Sequence, residues 1–151
     1  MKHQDQYYMK QALKEAKKAL EHEEIPVGAI IVDSEGNILS RAYNKKEEAK
    51  DVSFHAEILA IKKAEKRIKN WRLNNCVIYV TLEPCLMCGS AIIQSRIKKV
   101  VIGASEPNSG CFGSKSDINQ IENENLVVVK DVLKNECSEV LVSFFQSRRK
   151  K

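Results

Sequence analysis

Apolar residues recur at helical spacing near the start of the chain. Met9, Ala12, Leu13, Ala16, Ala19 and Leu20 share one face of a 3.6-residue period, so the first twenty-odd residues read as an amphipathic helix that Pro26 ends. Residues 27–32 and 38–42 then flank the turn cluster Asp33-Ser34-Glu35-Gly36-Asn37 and read as a β-hairpin. Ser53 is placed to cap a helix over about residues 54–69, and residues 76–81 form a short β-rich run. Pro84 suits the first position of a helix reaching about residue 95, because a helix leaves that N–H unused. Residues 99–103 read as another strand, and residues 104–115, with Pro107, Gly110 and Gly113, as a loop. A short helical stretch at 117–124 and a strand at 126–129 follow, before a last helix striped by Leu133, Cys137, Val140, Leu141, Phe144 and Phe145. Strands alternating with helices after the hairpin predict right-handed crossovers and a mixed, largely parallel sheet of about five strands. The expectation is a three-layer α/β/α sandwich forming a single domain over residues 1–151.

Composition narrows the setting. With 151 residues, 43% hydrophobic and 30% charged, the chain has material for one domain with a core and is short for two. No apolar run approaches the ~20 residues that span a bilayer, and the start, Met1-Lys2-His3-Gln4-Asp5, offers no apolar signal core. Five cysteines, an odd count with one Cys-x-x-Cys, point to a reducing, cytoplasmic compartment. The net charge of +5 is spread mostly over Lys and Arg beside Glu on helical faces. Arg148-Arg149-Lys150-Lys151 has no acidic neighbour; it suits a polyanionic partner, or is a solvated tail.

The chemistry is carried by a split pattern, His55-Ala56-Glu57 and then Pro84-Cys85-Leu86-Met87-Cys88. Cys85 and Cys88 are three apart and share a helix face, near the positive helix end that favours thiolate. With His55 they make three ligands, one short of a closed structural zinc site, which leaves a position open for water. Neither His3, near the terminus, nor His22, on a charged helix end, is as well placed. Glu57 lies two residues past His55 and so on another side of a regular helix. A site beyond the helix end, where first-turn side chains converge, lets Glu57 reach the water without being a ligand. The predicted chemistry is metal-assisted hydrolysis: a zinc-activated hydroxide attacks a carbon bearing an amino group, and Glu57 shuttles the protons.

At these residues the chain resembles the zinc-dependent cytidine/deoxycytidylate deaminase superfamily, and within it the bacterial tRNA-specific adenosine deaminases. The resemblance extends through Val27-Gly28-Ala29, Asn44, Asn70-Trp71-Arg72-Leu73, Tyr79–Cys88, Ser95-Arg96-Ile97 and Phe144-Phe145. It implies a cytidine-deaminase-like fold, one Zn²⁺ per subunit on His55, Cys85 and Cys88, and Glu57 as proton carrier. It also implies hydrolysis of adenosine to inosine at the wobble position of a tRNA anticodon stem-loop by a homodimer. Backbone groups of Leu82, Glu83, Pro84 and Cys85 would face the base and the water. Asn44 would contact the substrate, its alternative being a turn residue at a strand end. Phe145 and Arg148 would stack on bases and track phosphates, although Phe144 and Phe145 equally suit a core.

Two segments depart from the family pattern. Asp51-Val52-Ser53-Phe54 stands where Asp-Pro-Thr-Ala is usual, and Ala104-Ser105-Glu106-Pro107-Asn108 where Ala-Arg-Asp-x-Lys is usual. Glu106 keeps an acid in the loop expected to approach the RNA. The runner-up reading is a deaminase of guanine, cytosine or a nucleoside; a riboflavin-pathway deaminase is another, though no reductase segment follows Lys151. A non-catalytic zinc module, with Cys111 as fourth ligand, is the third; an unliganded Glu57 would then have no purpose.

Overall fold

The computed structural model describes residues 2–122 and 124–149, so Lys150 and Lys151 of the basic tail lie outside the described residues. The elements run α1 (Lys2–Glu21), β1 (Gly28–Val32), β2 (Ile38–Tyr43), α2 (Lys46–Ala49), α3 (Ala56–Ile68), β3 (Val77–Leu82), α4 (Leu86–Gln94), β4 (Lys99–Ala104), α5 (Ile118–Ile121), β5 (Val127–Val129) and α6 (Lys134–Arg149). The sheet order is β2-β1-β3-β4-β5. β1 pairs antiparallel with both β2 and β3, whereas β3–β4 and β4–β5 are parallel. The expected five-stranded α/β architecture is present, with the hairpin docked beside β3. Its "largely parallel" character is corrected, because that docking makes half of the strand pairings antiparallel.

Alternation along β1 explains the layers. Ala29 and Ile31 point into a core shared with Ala56, Ala60, Ile61 and Ala64 of α3 and Ile92 of α4. Ile30 and Val32 point into the opposite core with Met9, Ala12, Leu13 and Ala16 of α1 and Cys137 and Val140 of α6. Both faces of β1 are covered, so all five of its residues are buried, each large aliphatic adding about 1.5–3 kcal/mol. The small residues of α1 let it lie directly on the sheet. A Cβ at Gly28 would fall 2.0 Å from the Ala12 carbonyl oxygen, so β1 needs glycine there. Leu20, assigned to the apolar stripe, is 36% exposed, because the helix ends at Glu21 as the chain leaves the sheet.

Strand direction gathers the functional residues. β2, β3 and β4 all point the same way, so the residues after their C-terminal ends, Asn44, Glu83 and Ser105, meet along one edge of the sheet. α3 and α4 begin at that edge. Two helix boundaries need correction. Ser53 does not cap α3: its hydroxyl donates to Asp51 Oδ1 (2.7 Å), and the N-cap is His55. His55 therefore stands just ahead of the first turn. Pro84 is not the first residue of α4 either, because Cys85 is the N-cap and the helix starts at Leu86. The four-residue α2, which sequence periodicity does not mark, is tied down by Glu24, whose carboxylate accepts from the backbone N of Glu47 (3.1 Å) and Glu48 (2.7 Å).

Candidate metal centre and cleft

The N-cap placement of His55 and Cys85 brings the predicted ligands together. His55 Nδ1 lies 3.8 Å from Cys85 Sγ and 3.4 Å from Cys88 Sγ, and the three ligand atoms are all within 4.8 Å of one another. Zinc–nitrogen and zinc–sulfur bonds of about 2.0–2.1 and 2.3 Å at a tetrahedral angle would hold such atoms about 3.6 Å apart. The group therefore fits a single tetrahedral Zn²⁺ with one position left over. The donor chemistry agrees. A hydrogen bond from Cys88, with help from His55, holds the Cys85 thiol down at about 3. The same hydrogen bond and burial push Cys88 up. A cation that takes both sulfurs as thiolates removes this conflict. Cys111, the alternative fourth ligand, is outside the group: its Sγ donates to the Cys85 carbonyl (3.3 Å).

Glu57 is 4% exposed beside these ligands, on the first turn of α3. Burial raises its pKa to about 7, against the lowering influence of its own backbone N–H and of His55. A carboxyl balanced near neutrality can both take and return a proton, as acid–base catalysis requires.

Asn44 links cap and cleft. Its Oδ1 accepts from the backbone N of Ala56 (2.8 Å), so it, and not Ser53, satisfies the start of α3. That bond fixes the orientation of the amide and leaves Nδ2 as the donor on a cleft-lining side chain. Both readings of Asn44, turn residue and substrate contact, are compatible with this geometry.

The cleft measures about 610 Å³ and is lined by Asn44, His55, Glu57, Leu82, Glu83, Cys85, Glu106, Phe145 and Arg148. Pro84 is buried and does not line it; its carbonyl accepts from Cys111 N (2.9 Å). The Glu83 carboxylate is bound up with the loop after β4: hydrogen bonds from Ser114, Phe112 and Glu106 outweigh its desolvation and lower its pKa. Glu106 is half-buried, and its Oε1 accepts from Asn108 N (2.8 Å). Both rings of the aromatic pair line the cleft, Phe144 from a buried position and Phe145 45% exposed. Arg148 donates to the Glu23 carbonyl (2.7 Å) and stacks on Phe144. His22, set aside as a ligand, stacks on Tyr43. Sequence reading missed Glu24, Lys46 and Ser109 as cleft residues. Nothing in their local pattern marks them, because the fold brings them in from three separate segments.

The model of the cytidine and deoxycytidylate deaminase zinc-binding region matches residues 2–104. A Bacillus subtilis (strain 168) protein named tRNA-specific adenosine deaminase is 47% identical over 150 residues, covering 98% of this chain and 92% of its own. A Haemophilus influenzae protein of the same name is 45% identical, covering 96% of this chain and 85% of its own. Among solved structures, one from work on A-to-I editing by tRNA:A34 deaminases at the wobble position of transfer RNA superposes with a TM-score of 0.81 at 34% identity, over 89% of this chain and 99% of the other.

Proposed function

The chain belongs to the cytidine and deoxycytidylate deaminase family, and on that premise we propose that it converts adenosine to inosine at the wobble position of a tRNA anticodon. The observation that carries this reading is a three-ligand metal group beside a buried carboxylate that is not among the ligands. When bound, zinc on His55, Cys85 and Cys88 supplies a Lewis acid with one position open to water. Glu57 takes one proton from the attacking water and hands it to the ring nitrogen beside the amino-bearing carbon; it then takes the remaining proton of the added hydroxyl and gives it to the amino group, which leaves as ammonia. Water adds and ammonia leaves, so adenosine becomes inosine. Burial keeps bulk water from competing for the Glu57 carboxyl.

Around this floor Asn44 donates Nδ2 to the nucleoside, while Leu82 and the backbone of residues 83–85 bound the base. Glu106 accepts from the ribose 2′-hydroxyl, Phe145 stacks on a neighbouring base, and Arg148 approaches phosphate. The chain acts as one deaminase domain over residues 1–151, as a homodimer, in the cytoplasm. Leu86 and Met87, 52% and 38% exposed on the first turn of α4, support a self-association face next to the cleft. All five cysteines are unpaired, and among the described residues no helix is long and apolar enough to cross a membrane.

The test is incubation of zinc-loaded protein with an RNA anticodon stem-loop bearing a wobble adenosine, and separately with guanine, cytosine and free adenosine. Inosine in the stem-loop, with little ammonia from the free compounds, is the expected result. Ammonia from guanine or cytosine and an unchanged stem-loop would replace this reading with a small-molecule deaminase.

A further inference from the structure

Glu83 stands between the end of β3 and the two cysteine ligands, and it is only 3% exposed. A carboxylate at that depth needs donors to replace water. All of those it has come from one loop. Oε1 accepts from the backbone N of Glu106 (3.1 Å) and from the Ser114 hydroxyl; Oε2 accepts from the backbone N of Phe112 (2.9 Å) and Ser114 (3.2 Å). Gly110 completes the wrap, since a Cβ there would fall 2.3 Å from Glu83 Cδ. The same loop presents Ser105, Glu106 and Ser109 as one wall of the cleft. The peptide that carries the cysteine ligands and the wall that faces substrate are thus joined through one buried side chain.

We propose that the Glu83 side chain has a positioning role in substrate selection: its carboxylate gathers the 106–114 loop and sets Glu106 at the cleft wall, so that this carboxylate governs RNA affinity without itself touching RNA. The proposal rests on the reading of the cleft as an RNA-deaminating site. The hydrogen-bond pattern predicts what Glu83→Gln does. With the amide oxygen in the Oε2 position, Phe112 N and Ser114 N keep their acceptor, and the amide NH₂ can donate to a rotated Ser114 hydroxyl. Glu106 N–H then faces a donor. The reverse orientation sets two backbone N–H groups against the NH₂ and is worse. Glutamine therefore releases the loop at residue 106, the position that faces the cleft.

The experiment compares wild type, Glu83→Gln, Glu106→Ala and the double variant, with zinc content, amide hydrogen exchange and stem-loop kinetics measured on each. Glu83→Gln is expected to retain one zinc per chain and to speed exchange of the loop amides about tenfold. It should raise KM for the stem-loop about tenfold, with kcat within about twofold. In the Glu106→Ala background the same change should move KM by less than about threefold, because the residue it acts through is gone. A full tenfold effect in that background, or an unchanged KM with a loosened loop, overturns the proposal. If Glu83→Gln fails to fold, Ser114→Ala removes one donor and leaves the three backbone bonds; it should shift exchange and KM the same way by about twofold, and no shift in either overturns the proposal. Wild type that leaves every stem-loop unchanged sinks the functional reading instead, and exchange, which needs no substrate, still shows whether Glu83 holds the loop.

Discussion

At the floor of the cleft, His55 and Cys85 hold the N-cap positions of two helices packed on one face of the sheet, and Glu57 and Cys88 follow within a turn of them. At the rim, Glu106 stands on a loop, and Phe145 and Arg148 stand on the last turns of α6. Floor positions are fixed by buried backbone: Ala60, Ala64 and Ile92 are almost fully enclosed beneath them. Rim positions are half-buried or exposed, and their side chains are held by few contacts, such as the Asn108 N–H on Glu106 and the Glu23 carbonyl on Arg148. The difference fits the tasks proposed for them. Proton transfer and metal ligation tolerate little displacement, whereas RNA contacts are spread over several groups and adapt. Removing a floor residue should therefore abolish chemistry, and removing a rim residue should only weaken capture of the substrate.

Glu57→Ala should give the largest effect, a fall in kcat of roughly 10⁴-fold or more, since one group serves several proton transfers. Its zinc content should stay at one per chain, and loss of metal would reassign Glu57 as a ligand. Cys88→Ala should lose zinc and activity together and unfold at lower temperature, because metal binding contributes to folding. Metal analysis and a melting curve check this, and unchanged zinc would remove Cys88 from the set.

At the rim, Glu106→Ala should cost about 1–2 kcal/mol of kcat/KM on an RNA stem-loop and much less on the deoxy version, which has no 2′-hydroxyl to lose. Equal losses on both would assign Glu106 to the Asn108 turn alone. Asn44 lies between the two regions, and two substitutions separate its roles. Asn44→Ala should lose both the α3 cap, about 1 kcal/mol or roughly 2–4 °C in Tm, and substrate affinity. Asn44→Asp keeps the acceptor for Ala56 N and removes the donor, so Tm should hold while KM rises. The smallest effect is expected from replacing Arg148, Arg149, Lys150 and Lys151 with Ser. Each lost phosphate contact removes about 0.7–0.9 from the slope of log affinity against log salt. An unchanged slope would make the tail a solvated end, with Arg148 serving only its bond to Glu23.

The floor was legible in sequence because metal chemistry restricts both residue type and spacing, and few other arrangements explain His55, Glu57, Cys85 and Cys88 together. The elements were legible too, since α1, the hairpin and α6 carry strong apolar periods. What stayed hidden depends on contacts between distant segments. Ser53 looks like a cap by local pattern, yet Asn44, at the end of β2, supplies the acceptor, and Asp51 takes the serine hydroxyl. The docking of β1 against β3 leaves no local signature, so the alternation of strands and helices overstates how parallel the sheet is. Glu83 reads as a motif residue near the base, but its carboxylate is engaged 23 to 31 residues further along the chain. Side chains that bond backbone across such separations are set by tertiary structure and have no periodic trace.

The division between floor and rim is tested most directly by single-turnover deamination of the wobble-adenosine stem-loop at saturating protein, comparing Glu57→Ala and Glu106→Ala with wild type. Saturation removes the binding difference, so Glu106→Ala should form inosine at close to the wild-type rate, while Glu57→Ala, with zinc in place, should form none above background. A Glu106→Ala rate that stays depressed at saturation, or a Glu57→Ala rate near wild type, would contradict the account.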